Sequence, residues 1–169
     1  RFDGPAKPFV IETQPGATAP LGFFDPLGFT KSGVMTFPGD PTGFKHLREA
    51  EIKHGRVAMM GSIGSAFAHY VQFPGFEKVP TGLAALNTNM GGTGFAVLFC
   101  LVGLFEAVNW KQNKGEPGSY GDPFKFGQFT PEMRTRELNN GRMAMFAMMG
   151  QLGAELYTGV DPIQQFGLA

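Results

Sequence analysis

Glu51-Ile52-Lys53-His54-Gly55-Arg56-Val57-Ala58-Met59 returns later in the chain as Glu137-Leu138-Asn139-Asn140-Gly141-Arg142-Met143-Ala144-Met145. Glutamate, glycine, arginine, alanine and methionine are identical and in register. Asn140 stands where the first copy has His54, which keeps a potential metal-coordinating atom. A repeat at fixed offset is read before any motif, because it predicts two like elements of structure. A weaker echo precedes each copy, Asp25-Pro26-Leu27-Gly28-Phe29 and Asp122-Pro123-Phe124-Lys125-Phe126.

Working outward, each copy opens an apolar stretch, and a third stretch lies between them. The three run from about Val57 to Phe73, Gly94 to Trp110 and Met143 to Tyr157. Crossing a bilayer takes about 20 helical residues, so the outer two reach that length only if the polar turns from about Leu47 and Met133 continue the same helices. The fold class expected is an all-α membrane protein of three transmembrane helices, at about 47–73, 94–110 and 133–157. The first and third are homologous and cross about a local pseudo-two-fold axis. An N-terminal arm of about 1–46 completes a single domain covering 1–169.

Turn-rich connectors, Phe73-Pro74-Gly75 and Gly115-Glu116-Pro117-Gly118, punctuate the chain where helices should end. Lys45, Arg48 and Lys53 precede the first span, and Lys111, Lys114, Lys125, Arg134 and Arg136 lie between the second and third. Only Lys78 separates the first two. That alternation puts the N-terminus on the positive side of the membrane and the C-terminus opposite.

Residues five apart on a helix point roughly 140 degrees from each other, so Glu51 does not pair with Arg56, nor Glu137 with Arg142. If the copies pack across a two-fold axis, Glu51 meets Arg142 and Glu137 meets Arg56. The motif's buried charges are then neutralised between helices, which matters because an isolated charge inside a membrane is expensive. Gly55 and Gly141 would let the two backbones approach closely. A carboxylate neutralised by arginine keeps a lone pair, and a neutral imidazole or an amide oxygen offers another without charge. Such donors suit a magnesium already held by four ring nitrogens. Glu51 with His54, and Glu137 with Asn140, sit one turn apart and can hold two neighbouring macrocycles on one flank. The plainer role for each ion pair is structural, and His46 and His69 stay unassigned.

Composition agrees with a large flat guest: 18 Phe, 9 Met and 25 Gly accompany only 17% charged residues. Aromatic rings and adaptable thioethers cover flat ligands as readily as they fill cores. Net charge is zero, which gives no basis for nucleic-acid binding. The single cysteine, Cys100, excludes a disulfide framework. The start at Arg1 suggests a processed form. No Gly-x-Ser-x-Gly or His-Glu-x-x-His motif is present, and Gly92-Thr93-Gly94 lacks the third glycine of a dinucleotide loop, so no enzyme is expected.

The duplicated motif resembles the first and third transmembrane helices of the chlorophyll a/b and chlorophyll a/c light-harvesting proteins. The Phe24-Asp25-Pro26-Leu27-Gly28-Phe29 lead-in looks like their N-terminal segment. The likeness runs from about Phe24 to Gly167. Short loops, a brief C-terminus and Phe105-Glu106-Ala107-Val108-Asn109-Trp110 look most like the red-lineage branch, which carries chlorophyll c with fucoxanthin, peridinin or related carotenoids.

The resemblance implies Glu51, His54, Glu137 and Asn140 as ligands of chlorophyll magnesium, with Arg56 and Arg142 as ionic partners. Glu106 matches a further family ligand, its alternative role being an interfacial surface charge. Where the family often has Gln or His, this chain has Ala154, and Gln151 one turn earlier is the substitute. The resemblance also implies chlorophyll a, chlorophyll c and two carotenoids in the grooves of the helix cross, near Asp25 and Asp122. It further implies a plastid thylakoid location with a stromal N-terminus and lumenal C-terminus, among thylakoid lipids. A photosystem I or II core and neighbouring antennae would be the partners.

Harvesting is the expected role. Photoprotective dissipation is the alternative within the family, and a pigment-free membrane scaffold or transporter the alternative outside it. Glu77, Glu155 and Asp161 are the only acids expected on the lumenal side, too few to decide between harvesting and dissipation.

Overall fold

The computed structural model describes residues 10–31, 36–37, 40, 42–108, 127 and 129–167. Among the described residues four helices follow in order: α1 Phe44–Tyr70, α2 Asn89–Val108, α3 Pro131–Thr158 and the short α4 Pro162–Gln165. One-turn 3-10 segments occupy Ile11–Thr13, and a longer one Gly82–Asn87. Among the described residues there are isolated bridges but no strand. The second Asp-Pro segment at Asp122 lies outside the described residues, as do Trp110, Lys111, Lys114 and Lys125.

The helix ends follow local chemistry. Asp40 heads α1, its carboxylate accepting from the His46 N–H and the Thr42 hydroxyl. This draws the start of the helix to Phe44, ahead of the expected Leu47. The helix stops at Tyr70, short of Phe73, where extended Val71 leads into the turn before Pro74. The Thr88 hydroxyl accepts from the Gly91 N–H, so α2 begins at Asn89, ahead of the expected Gly94, and takes in Gly91 and Gly92. Thr130 caps α3 through the Met133 N–H, with Pro131 in its first turn.

α1 and α3 cross at glycine. A Cβ added at Gly55 would lie 3.0 Å from the Gly141 Cα, and one added at Gly141 would lie 3.0 Å from the Gly55 Cα. The two copies share one burial register. Ile52, Gly55 and Ala58 are buried in the first, and Leu138, Gly141 and Ala144 in the second. Farther along, Met148 fills the space over Gly61, and the Ser65 hydroxyl donates to Gln151 Oε1 at 3.1 Å.

Away from this crossing the apolar side chains face outward. α2 buries none of its residues, and Leu98, Phe99, Leu101 and Leu104 are all more than half exposed. A surface of that kind calls for lipid or another apolar cover. α2 is the one described helix long and apolar enough to cross a membrane, with mean hydropathy 1.8. α1 and α3, at 27 and 28 residues, are longer, but the charges of the repeated motif lower their hydropathy. At 1.5 Å per residue each extends about 40 Å, enough for a bilayer core of about 30 Å.

At the far end, two buried carboxylates tie the segments together. Asp161 accepts from the Thr81 hydroxyl at 2.6 Å and from the Gln164 N–H at 2.9 Å, and lies 2.7 Å from His69 Nδ1. Glu155 on α3 accepts from the Leu83 N–H. The end of α1, the 82–87 segment, α3 and α4 therefore share one hydrogen-bonded knot.

Candidate functional site

The glycine crossing sets the four motif charges within reach of one another. Arg142 Nε donates to Glu51 Oε1 at 2.7 Å, and Arg56 Nε donates to Glu137 Oε1 at 2.6 Å. Each glutamate is thus answered from the other helix, as packing about a two-fold axis requires. These pairs are half-buried, where a missing partner would leave an uncompensated charge.

The network reaches beyond the quoted motif. Arg48, buried beneath the crossing, donates to Glu51 Oε2 at 2.8 Å and sets its guanidinium 5.1 Å from the Phe44 ring centroid. Both Glu51 oxygens are therefore engaged by arginine, each retaining a further lone pair. Arg134 occupies the equivalent place in the second copy, with its guanidinium 4.7 Å from the Phe129 ring centroid. Extending the repeat one turn backward would have revealed this pair in the sequence.

Gly16 was the other residue missed, and no local signal marks it. Its carbonyl accepts from Arg142 Nη1 at 2.8 Å. A Cβ there would lie 2.7 Å from Leu138 Cδ1, and its φ of +92° is one that L side chains rarely adopt.

The neutral donors face outward. His54 is exposed, and its Nδ1 lies 2.7 Å from the Ala50 carbonyl oxygen. A carbonyl only accepts, so Nδ1 carries the proton and Nε2 keeps its lone pair outward. That tautomer is the one an imidazole needs to coordinate a metal. Asn140 is exposed at the matching place on α3. Among the described residues no three His, Cys, Asp or Glu side chains converge, so each candidate donor acts singly. A single axial donor is what a magnesium inside a tetrapyrrole lacks, and this donor set fits such a group.

Glu106 on α2 accepts from Lys53 Nζ at 2.7 Å, and Glu49 lies 3.0 Å from the same amine. This pair links the central helix to the crossing. Gln151 turns toward α1, where its oxygen takes the Ser65 hydroxyl.

A groove of about 660 Å³ runs beside the crossing, lined by Phe23, Phe24, Phe44 and Phe146, with Glu51 and Arg142 among its polar residues. Asp25 stands at its rim. Its carboxylate accepts from the Thr30 hydroxyl at 2.7 Å and from the Thr30 and Phe29 N–H groups, each at 3.0 Å. The Thr30 bonds, foremost among these, hold the acid below the ordinary carboxylate value. Asp25 thus builds the turn that shapes the groove.

A family profile described as chlorophyll A-B binding protein matches residues 11–156. The chain is 34% identical over 163 residues to fucoxanthin-chlorophyll a-c binding protein A, chloroplastic, of Macrocystis pyrifera, covering 85% of this chain and 72% of that protein. Similarity to protein D of the same organism is 35% over 163 residues, covering 85% and 86%. Protein E of Phaeodactylum tricornutum is 33% identical over 174 residues, covering 89% and 85%.

Proposed function

Because the chain belongs to the chlorophyll a/b-binding protein family, we propose that it is a light-harvesting antenna of the plastid, holding chlorophyll a, chlorophyll c and fucoxanthin-type carotenoid and passing excitation to a photosystem. The observation that carries this reading is the exchanged pair of ion bridges about Gly55 and Gly141, with His54 and Asn140 turned outward beside them.

Glu51, His54, Glu137 and Asn140 would hold chlorophyll magnesium, and Arg56 and Arg142 balance the carboxylates. Glu106, neutralised by Lys53, would hold a further magnesium from the central helix, and Gln151 another from the face between α1 and α3. The groove beside Phe23 and Phe24 takes one carotenoid. Bound pigments supply absorption and excitation transfer, while the protein's part is to fix their spacing, orientation and local field. The polypeptide performs no covalent chemistry.

α1, α2 and α3 all span the thylakoid membrane, the N-terminus stromal and the C-terminus lumenal. The length of α1 and α3 and the pairing of their charges support this, since paired charges are tolerated inside a bundle. The chain works beside a photosystem I or II core and neighbouring antennae.

The test is the absorption and fluorescence-excitation spectrum of the protein in mild detergent, followed by pigment extraction. Carotenoid-sensitised chlorophyll emission is expected. A colourless, folded protein would overturn the reading and leave a charge-paired membrane scaffold.

A further inference from the structure

His46, in the first turn of α1, takes no part in the ion network, yet it is held as firmly as His54. Its Nδ1 lies 3.1 Å from Asp40 Oδ2, and its own backbone N–H donates to the same oxygen at 3.1 Å. The Phe37 ring stacks on one face, with centroids 4.1 Å apart. The histidine side chain is 45% exposed, whereas the aspartate side chain is 3% exposed. The carboxylate accepts a hydrogen bond from the Nδ1–H, and among the described residues nothing bonds to Nε2. A carboxylate behind one ring nitrogen, with the other presented outward, is the arrangement that fixes a histidine as a metal ligand.

Position adds a second line of support. His46, Ala50 and His54 follow at four-residue spacing, so they share one exposed face of α1. The two imidazoles are separated along the helix by about 12 Å. The side chain between them is a methyl, and the Ala50 carbonyl orients His54.

We propose that His46 Nε2, oriented by Asp40, is an additional axial ligand for a magnesium tetrapyrrole at the head of α1, next along the helix from the pigment on His54. The proposal rests on the antenna reading above. Imidazole gives magnesium a neutral donor, so the buried charge balance around Glu51 is unchanged.

The test compares the wild-type chain with His46→Leu, His46→Gln and Asp40→Asn, each loaded in mild detergent with a mixed chlorophyll a and chlorophyll c extract. Chlorophylls per chain are counted after extraction, and ¹⁵N shifts of the histidine rings are recorded before and after loading. His46→Leu should hold one chlorophyll fewer than wild type. His46→Gln should recover part of that loss through its amide oxygen, and Asp40→Asn should weaken retention about 10- to 100-fold. In the wild type the His46 Nε2 resonance should move on loading while Nδ1 stays protonated. If His46→Leu does not fold, the wild-type ring shifts decide alone. Equal counts with an unmoved His46 Nε2 overturn this site and leave the antenna reading standing, because His54 and the other donors still load. A wild-type chain that takes no chlorophyll overturns both.

Discussion

Gly55 and Gly141 meet backbone to backbone, each positioned so that a methyl group on one would stand 3.0 Å from the other's Cα. All the exchanged charge pairing depends on this approach. Gly55→Ala or Gly141→Ala forces the helices apart at their tightest point, and overpacking of this kind costs about 1–3 kcal/mol. Thermal melting followed by the chlorophyll visible dichroism should fall for either variant, and Gly55→Leu should prevent assembly. A melting point unchanged by both alanines would refute the close crossing.

Arg142→Gln leaves Glu51 with Arg48 alone and frees the Gly16 carbonyl. For a half-buried pair, the loss of one partner costs about 1–3 kcal/mol, between the exposed and buried limits. The double change Glu51→Gln with Arg142→Gln should be less destabilising than the sum of the single changes, because the two residues share one interaction. Strict additivity in a double-mutant cycle would show that the 2.7 Å contact carries no coupling.

His54→Leu tests an outward donor without touching the core, since His54 is exposed and, among the described residues, bonds to Ala50 of its own helix. One chlorophyll per chain should be lost with little change in secondary structure. Unchanged stoichiometry would remove His54 from the ligand set.

Lys53→Met breaks the bridge to Glu106 and leaves that acid on an otherwise apolar helix. Loss of the pigment on Glu106 is expected, with pigments at the crossing retained. Restoration by Lys53→Arg would assign the effect to charge.

The knot at Asp161 makes a prediction for acid. Burial alone would raise its pKa, but the Thr81 hydroxyl, the Gln164 N–H and His69 together hold it down to about 2. A carboxyl depressed on folding contributes stability above its unfolded value of 3.8, and that contribution fades as pH falls toward 2. The difference in melting temperature between wild type and Asp161→Asn should therefore persist from neutrality to about pH 4 and shrink as pH falls from there toward 2. Asp161 thus stays ionised in mild acid. An acid-shortened fluorescence lifetime between pH 7.5 and 5 would favour dissipation over harvesting and point to a different group.

The repeated motif was legible because its chemistry lies in nine contiguous residues, and identical spacing places identical side chains on one helix face. The crossing and the exchanged charges follow from that alone. Gly16 was not legible, because its role arises from a chain arm folding back onto Arg142, which no local pattern encodes. α2 starts five residues ahead of the expected Gly94, because the Thr88 cap and the Phe76 ring packed against Gly94 stabilise a helix there, contacts that no contiguous pattern in the sequence encodes. Asp25 matched a known segment, yet its hydrogen bonds reveal a builder of turns.

α2 buries none of its own residues; among the described residues it contacts the 82–87 segment and reaches α1 through the Lys53 bridge. In a water-soluble protein a core would fix the distance of such a helix from its neighbours. Here guest molecules complete the interior, and binding them stabilises the folded form by mass action. A newly made chain awaiting its guests is thus the form most open to proteases, and the amount of mature protein should follow the supply of pigment more closely than the rate of synthesis.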